Sequence, residues 1–204
     1  MLDADFVHRW MTTTAASVDR EAAHLTDLDS AIGDADHGSN LQRGFGAVSA
    51  ALDKEPPRTP GAVLMLAGRQ LISTVGGASG PLYGTLLRRT GKALGDSPAV
   101  SDEQLAKALG EGVAAVAQLG GAQAGDKTML DALLPAVEAL ATSFEAGAEA
   151  ARAGAEATVP LQARKGRASY LGERSIGHQD PGATSAALLI AALAATAAET
   201  GGGA

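Results

Sequence analysis

The chain has 204 residues, of which 46% are hydrophobic and only 3% aromatic, so its apolar content is mostly Ala, Leu and Val and favours helices. It contains no cysteine, which excludes disulfides, zinc thiolate sites and thiol nucleophiles. A net charge of -7 and a pI near 5.0 argue against nucleic acid as a partner.

Helical periodicity and chain breakers predict eight helices and no convincing strand. In chain order the predicted helices cover about residues 3–23, 39–52, 60–75, 81–94, 102–119, 127–142, 144–160 and 183–199. The run from Ala183 to Ala198 is too short and too rich in Ala to span a bilayer, so we interpret it as a buried helix rather than a membrane anchor. We expect one domain over residues 1–200, followed by a flexible glycine tail at 201–204.

Four connecting segments are dense in Gly, Asp, Ser, Thr, Arg and His, in contrast to the plain Ala-rich helices. They are Asp29–Asn40, Gly76–Thr85, Gly120–Thr128 and Arg164–Thr184. They follow the first, third, fifth and seventh predicted helices, and in an up-and-down bundle alternate connections lie at the same end. The sequence therefore predicts that all four segments converge on one site.

The first segment contains three aspartates within eight residues, Asp29, Asp34 and Asp36. Hard divalent cations prefer several oxygen ligands, and Asp34 and Asp36 at a spacing of two, between Gly33 and Gly38, can point at one centre. An EF-hand calcium loop does not fit, because its glycine and glutamate positions would hold other residues here. A solvated acidic turn with a helix cap is the alternative, and magnesium with phosphate is the favoured interpretation.

The two glycine-rich segments permit either anion binding or close packing of helices. Gly76–Gly84 leads into a helix, where exposed amides favour anions. Gly120–Thr128 is not a P-loop, since Asp126 separates Gly125 from Lys127 and no strand precedes it. Lys127 and Thr128 could still contact phosphate, although Asp126 and Lys127 could equally cap and solvate a helix start.

The fourth segment holds the one concentrated patch of basic residues, Arg164, Lys165, Arg167 and Arg174. Opposite metal-bound phosphates, such a patch could neutralise charge that develops during phosphoryl transfer, and an ordinary solvated loop is the alternative. His178 is interpreted as a hydrogen-bonding loop residue. His37, beside Asp36, is a candidate for a supporting role next to phosphate.

Together the four segments resemble one family, the nucleotide-binding L subunit of dihydroxyacetone kinases. The resemblance rests on Ile32–Gly38, Gly76–Gly84, Gly125–Met129 and, above all, the long run Gly166–Thr184. It implies an all-α closed barrel of eight antiparallel up-and-down helices, with ADP and two magnesium ions bound at one end. Metal ligation is implied for Asp29, Asp34 and Asp36, and a catalytic role for Arg167. The nucleotide contacts implied are His37, Gly38, Ser39, Asn40, Ala78, Ser79, Gly120, Thr128, Arg167, Asp180, Pro181 and Gly182.

The resemblance also implies an activity and partners. A chain of this length leaves no room for the substrate domain of the single-chain kinases, so we expect the separate cytoplasmic subunit that works with the bacterial phosphotransferase system. Its ADP would be phosphorylated, transiently to ATP, by a phosphohistidine on the M subunit and would pass the group to dihydroxyacetone on the K subunit. The alternatives are a subunit of an ATP-dependent dihydroxyacetone or triose kinase and a nucleotide-dependent partner of a transcription regulator. A homodimer stays open, and neither nucleic acid nor a membrane is expected as a partner.

Overall fold

The structure is a computed structural model that describes residues 1–201, and it consists almost entirely of helices. The α-helices are α1 (Ala4–Ile32), α2 (His37–Lys54), α3 (Pro60–Thr74), α4 (Ser79–Leu94), α5 (Asp102–Gly120), α6 (Leu130–Ala139), α7 (Phe144–Glu156) and α8 (Pro181–Gly201). A 3-10 helix (Arg167–Ser175), interrupted by a kink at Gly172, lies between α7 and α8. Residue 201 is the last residue of α8, and the rest of the expected glycine tail lies outside the described residues.

The eight helices close into a barrel, which confirms the fold predicted from the sequence. Each helix packs against the next one in the chain, and α8 returns to pack against α1. The buried indole of Trp10 on α1 donates a hydrogen bond of 2.9 Å to the carbonyl oxygen of Leu189 on α8, which fixes this closing contact. Leu, Val and Ala side chains fill the interior, together with Trp10, Phe45 and Tyr83.

Two of the helix boundaries that differ from the sequence prediction lie next to predicted site residues. Helix α1 continues to Ile32 rather than ending near residue 23, because Leu25 and Ile32 are buried and extend at a spacing of seven the face begun by Val18. Asp29 is therefore part of α1 and not of the loop. Helix α6 begins at Leu130 rather than near residue 127, since Lys127 has a φ of +62° that a helix cannot contain.

A pair of two-residue strands was not expected from the sequence. β1 (Leu2–Asp3) pairs antiparallel with β2 (Ala99–Val100), and joins the residues before α1 to the connection between α4 and α5. Two residues are too few to produce an alternating pattern in a sequence. The pair lies at the end of the barrel where α1 begins.

Judged only by its length and composition, helix α8 could cross a bilayer over Pro181–Thr200. However, 56% of that apolar stretch is buried inside the barrel, where α8 packs against α1, α6 and α7. This burial agrees with the interpretation of the segment as a core helix.

Candidate functional site

All four of the segments singled out in the sequence meet in one cavity of about 490 Å³ at one end of the barrel, which we call the site end. The cavity lies where α1, α3, α5 and α7 finish and the following helices begin, as the alternation of connections predicts. Twelve of the predicted site residues line it: Asp29, Asp34, Asp36, His37, Ala78, Ser79, Gly120, Thr128, Arg167, Asp180, Pro181 and Gly182.

The three aspartates form a compact cluster at the edge of this cavity. Each of Asp29, Asp34 and Asp36 offers a carboxylate oxygen, and these atoms lie within 4.8 Å of one another. Asp29 is buried in the last turn of α1, and its Oδ2 accepts hydrogen bonds from the backbone amides of Asp36 (2.8 Å) and His37 (3.1 Å). The buried carboxylate thus holds the loop, while Asp34 and Asp36 remain exposed.

The backbone of the cluster differs from the sequence interpretation in one respect. Between Asp34 and Asp36, it is Ala35 that has a positive φ, of +61°, rather than one of the flanking glycines. A Cβ at Gly33 would lie 2.0 Å from Oδ1 of Asp29, so Gly33 leaves room for that carboxylate. The glycine therefore matters here for space and not for its dihedral angles.

The donor set fits a hard divalent cation. Three close carboxylates repel one another unless positive charge is supplied, and Arg167, whose Nη2 lies 3.1 Å from Oδ2 of Asp34, provides one such charge. Arg167 is itself 71% exposed, so this ion pair is weak and the guanidinium is free to turn toward a ligand. The residues present could hold magnesium, which prefers carboxylate, phosphate and water oxygens.

Three of the predicted nucleotide contacts, Gly38, Ser39 and Asn40, do not line the cavity. A Cβ at Gly38 would lie 1.9 Å from the carbonyl oxygen of Ala22, so this glycine allows α2 to approach α1 closely. The Ser39 hydroxyl donates to the carbonyl of Asp36 at 3.0 Å, and the Asn40 amide oxygen accepts from Arg43 at 2.6 Å. As nucleotide contacts these three residues stay predictions.

The start of α4 is suited to an anion. Helix α4 begins at Ser79 after Ala78, and no side chain caps its first amides. Uncapped amides at a helix N-terminus favour negative charge, and both Ala78 and Ser79 line the cavity. Apolar side chains also line the cavity and form a wall suited to a flat ring. These side chains are Leu82, Val116, Leu119, Met129 and Leu130.

The ammonium group of Lys127 bonds to the protein backbone, although its position in the sequence suggested a contact with phosphate. Its ammonium is buried and donates to the carbonyl oxygens of Leu161 (3.0 Å), Ser175 (2.7 Å) and His178 (2.5 Å). Burial lowers the pKa of Lys127 from its ordinary value, and the nearby Asp180 opposes that shift. All three of its N–H donors are used on the backbone, so Lys127 has no donor left for a phosphate oxygen, although the side chain lines the cavity.

The loop before α6 is braced by a residue that sequence analysis missed. Asp131 accepts the amide of Gly125 with one carboxylate oxygen (2.6 Å) and that of Thr128 with the other (2.7 Å). Its position three residues after Thr128, at the start of a helix, was the available signal. This brace sets the position of the Thr128 side chain at the cavity wall.

The segment between α7 and α8 brings Arg167 and Asp180 to the cavity. Asp180 is buried, caps α8 by accepting the amide of Ala183 at 2.7 Å, and has its pKa raised to about 7, chiefly by burial. The side chain of His178 is exposed, and only its carbonyl oxygen takes part in the hydrogen bonds of this segment.

His37 lies in a buried hydrogen-bonded group that includes two further residues missed in the sequence. Its Nε2 is 2.8 Å from the Ser185 hydroxyl, and its Nδ1 is 3.3 Å from the Ser79 hydroxyl. Tyr83 in turn lies 2.6 Å from the Ser185 hydroxyl. Burial lowers the pKa of His37, and Asp29, Asp36 and the Pro181 carbonyl oppose that shift.

Comparison with known proteins connects this cavity to one family. A profile of the DAK2 domain matches residues 31–195. The chain is 44% identical over 200 residues to the ADP-binding subunit DhaL of the PEP-dependent dihydroxyacetone kinase of Escherichia coli (strain K12), covering 93% of this chain and 95% of that protein. It is 36% identical to the corresponding subunit of the PTS-dependent enzyme of Lactococcus lactis, covering 95% and 97%.

A solved structure shares the fold. The dihydroxyacetone kinase from C. freundii in complex with AMP-PNP and Mg²⁺ superposes with a TM-score of 0.74 and is 29% identical, covering 96% of this chain. The chain spans 34% of the length of that kinase.

Proposed function

Because this chain belongs to the DAK2-domain family, we propose that it is the ADP-binding subunit of a phosphoenolpyruvate-dependent dihydroxyacetone kinase and works in the cytoplasm. When bound, ADP with two magnesium ions supplies the terminal phosphate that takes a phosphoryl group from a phosphohistidine of an M subunit and gives it to dihydroxyacetone on a K subunit. The observation that carries the proposal is the meeting of three carboxylates, an uncapped helix start and one arginine around a single cavity.

Each part of the cavity has a task in this proposal. Asp29, Asp34 and Asp36 hold magnesium through their carboxylate oxygens. The amides at the start of α4, with the Ser79 hydroxyl, hold phosphate oxygens, and the apolar wall packs against the adenine ring. Arg167 stabilises the charge that develops on the phosphoryl group during transfer. Positioning and electrostatics suffice for this chemistry, so no general base is required of the chain.

The surface around the cavity mouth is suited to partner subunits. Among the described residues, five large hydrophobic side chains are exposed, and four of them belong to the site end: Ile72, Leu119, Tyr170 and Ile176. Tyr170 is 88% exposed and lies in the same 3-10 helix as Arg167. Exposed Tyr and Arg side chains are typical of protein interfaces. We assign this surface to the K subunit, whose bound substrate must reach the cavity.

The nucleotide and magnesium content of the purified protein tests this proposal. The protein is purified without added nucleotide, denatured, and analysed for ADP, ATP and magnesium by chromatography and elemental analysis. We expect near-stoichiometric ADP with two magnesium ions per chain. An empty protein that readily exchanges ATP would favour the ATP-dependent kinase, and the absence of any affinity for nucleotide would contradict both functions.

Activity separates the two kinases further. With K and M subunits from the phosphotransferase system, the chain should support formation of dihydroxyacetone phosphate from phosphoenolpyruvate and a catalytic quantity of ADP. If the K subunit alone with stoichiometric ATP gives the same rate, the M subunit has no part and the ATP-dependent alternative is correct.

A further inference from the structure

A chain of hydrogen-bonded side chains leads from the core of the barrel to the cavity. Tyr83 on α4 lies 2.6 Å from the hydroxyl of Ser185 on α8, which lies 2.8 Å from Nε2 of His37 on α2. On the other side of the ring, Nδ1 of His37 lies 3.3 Å from the hydroxyl of Ser79. Tyr83 and Ser185 are 1% and 2% exposed, so neither hydroxyl exchanges these partners for bulk water.

The hydroxyl of Ser185 has three partners. Besides Tyr83 and His37, it lies 3.1 Å from the carbonyl oxygen of Gly182 on its own helix, to which it can donate. Each nitrogen of the His37 ring faces one hydroxyl, that of Ser185 at Nε2 and that of Ser79 at Nδ1. These two contacts hold the ring between α8 and α4.

We propose that Ser185 and Tyr83 are positioning residues that hold the ring of His37 in one orientation and, through its Nδ1, orient the Ser79 hydroxyl at the start of α4. The inference rests on the proposed nucleotide site, because Ser79 and the adjacent amides are where that site would hold phosphate. Three helices, α2, α4 and α8, are thereby linked at the cavity by one set of hydrogen bonds.

The alternative for Ser185 is a purely structural serine that satisfies itself by bonding to its own helix. A serine of that kind needs only the Gly182 carbonyl. The contacts of 2.6 and 2.8 Å to Tyr83 and His37 show that the Ser185 hydroxyl also bonds to two other helices. Without it, the ring of His37 loses its partner at Nε2 and can rotate, which changes the orientation of the Ser79 hydroxyl.

Nuclear magnetic resonance of ¹⁵N-histidine tests how firmly the ring is held in protein freed of nucleotide and metal. The ring nitrogens of His37, identified with the variant His37→Ala, should give one sharp set of signals in the parent protein. Ser185→Ala should shift or broaden these signals, because the ring can then rotate. Thr196→Val removes a buried hydroxyl from the same helix, far from His37, and should leave the parent pattern. An unchanged pattern in Ser185→Ala would overturn the proposal.

Calorimetric titration with ADP and magnesium tests the effect on the site. Ser185→Ala and Tyr83→Phe should each weaken ADP binding about fivefold, the loss expected for one hydrogen bond, while Thr196→Val should not weaken it. In a His37→Ala background the substitution Ser185→Ala should cause no further loss, because its effect passes through the ring. A full loss in that background would mean a structural role and would overturn the proposal. If the parent protein bound no ADP, the proposed function would fail, whereas the resonance result for the His37 ring would stand by itself.

Discussion

The ammonium nitrogen of Lys127 lies 2.7 Å from the carbonyl oxygen of Ser175 and so fastens the loop before α6 to the segment that carries Arg167. Lys127→Met keeps most of the length of the side chain but leaves three carbonyl oxygens without their donor. We expect the free energy of unfolding to fall by about 3 kcal/mol. Urea denaturation measures this loss, and hydrogen exchange should show faster opening of residues 157–180. Lys107→Met, at an exposed position on α5, is the control and should change stability little.

The aspartate cluster predicts that one neutral substitution abolishes nucleotide retention without unfolding the protein. Asp34→Asn removes an exposed carboxylate from the proposed magnesium site, and we expect magnesium-dependent ADP binding to weaken by at least about tenfold. Calorimetry and circular dichroism measure binding and helix content. Asp27→Asn, an exposed change on the same helix outside the cluster, serves for comparison. Unchanged ADP affinity in Asp34→Asn would exclude Asp34 as a ligand.

Arg167 should affect transfer more than binding. Arg167→Met leaves the carboxylates and the start of α4 in place, so ADP affinity should change only a few-fold, whereas phosphoryl transfer should fall by about 100-fold or more. Single-turnover transfer to the K subunit, measured beside ADP titration, separates the two effects. Arg174→Met, at an exposed arginine that lies beyond the kink at Gly172, is the matched variant. Equal losses of affinity and of rate would make Arg167 a binding residue only.

Two glycines on α2 should respond oppositely to alanine. At Gly38 a Cβ would lie 1.9 Å from the carbonyl oxygen of Ala22, so Gly38→Ala must push α2 away from α1 and should cost about 1–3 kcal/mol. At Gly46 a Cβ has no neighbour within 4 Å, so Gly46→Ala should stabilise the helix by up to about 1 kcal/mol. Thermal and chemical denaturation compare the pair. Equal effects at the two positions would argue against the close contact of α1 and α2.

The raised pKa of Asp180 predicts that the free energy of unfolding depends on pH, in protein from which nucleotide and metal have been removed with EDTA. Its pKa rises from 3.8 to about 7 on folding, so between these values the folded state binds a proton more tightly than the unfolded state. Stability from this group is therefore present at low pH and is lost as pH rises to about 7, by up to about 1 kcal/mol per pH unit. Asp180→Asn removes this dependence, and the difference in stability between variant and parent should shift in favour of the variant from pH 5 to pH 8. Parallel curves would mean that Asp180 ionises normally.

The order of the helices could be predicted from the sequence because it depends on local signals. Two such signals are the capping box formed by Ser101 and Gln104 before α5 and the N-cap provided by Thr59 before α3, and the structure has both. The alternation of chemically rich connections then predicted the convergence that the cavity shows. The end of α1 could not be predicted in this way, because the polar stretch around Asp27 is kept helical by the burial of Leu25 and Ile32 against other helices.

The parts of the site that escaped prediction depend on tertiary contacts. Lys127 follows an aspartate and glycines, as a phosphate-binding lysine could, but its ammonium bonds to carbonyls that are 34 to 51 residues away in the chain. Ser185 and Tyr83 are separated by 102 residues, so no local pattern connects them. The positive φ of Ala35 is also set by its surroundings, since alanine has no intrinsic preference for that conformation.

The contact between α1 and α8 makes the barrel continuous around its circumference. Helix α1 finishes and α8 starts at the site end, so the start of α1 and the finish of α8 both lie toward the opposite end. A short linker could join them there, and the chain could be opened instead between α2 and α3, whose connection contributes nothing to the cavity. Such a circular permutant would keep every cavity residue on its original helix, which means that the site depends on the ring of helices and not on where the polypeptide is interrupted.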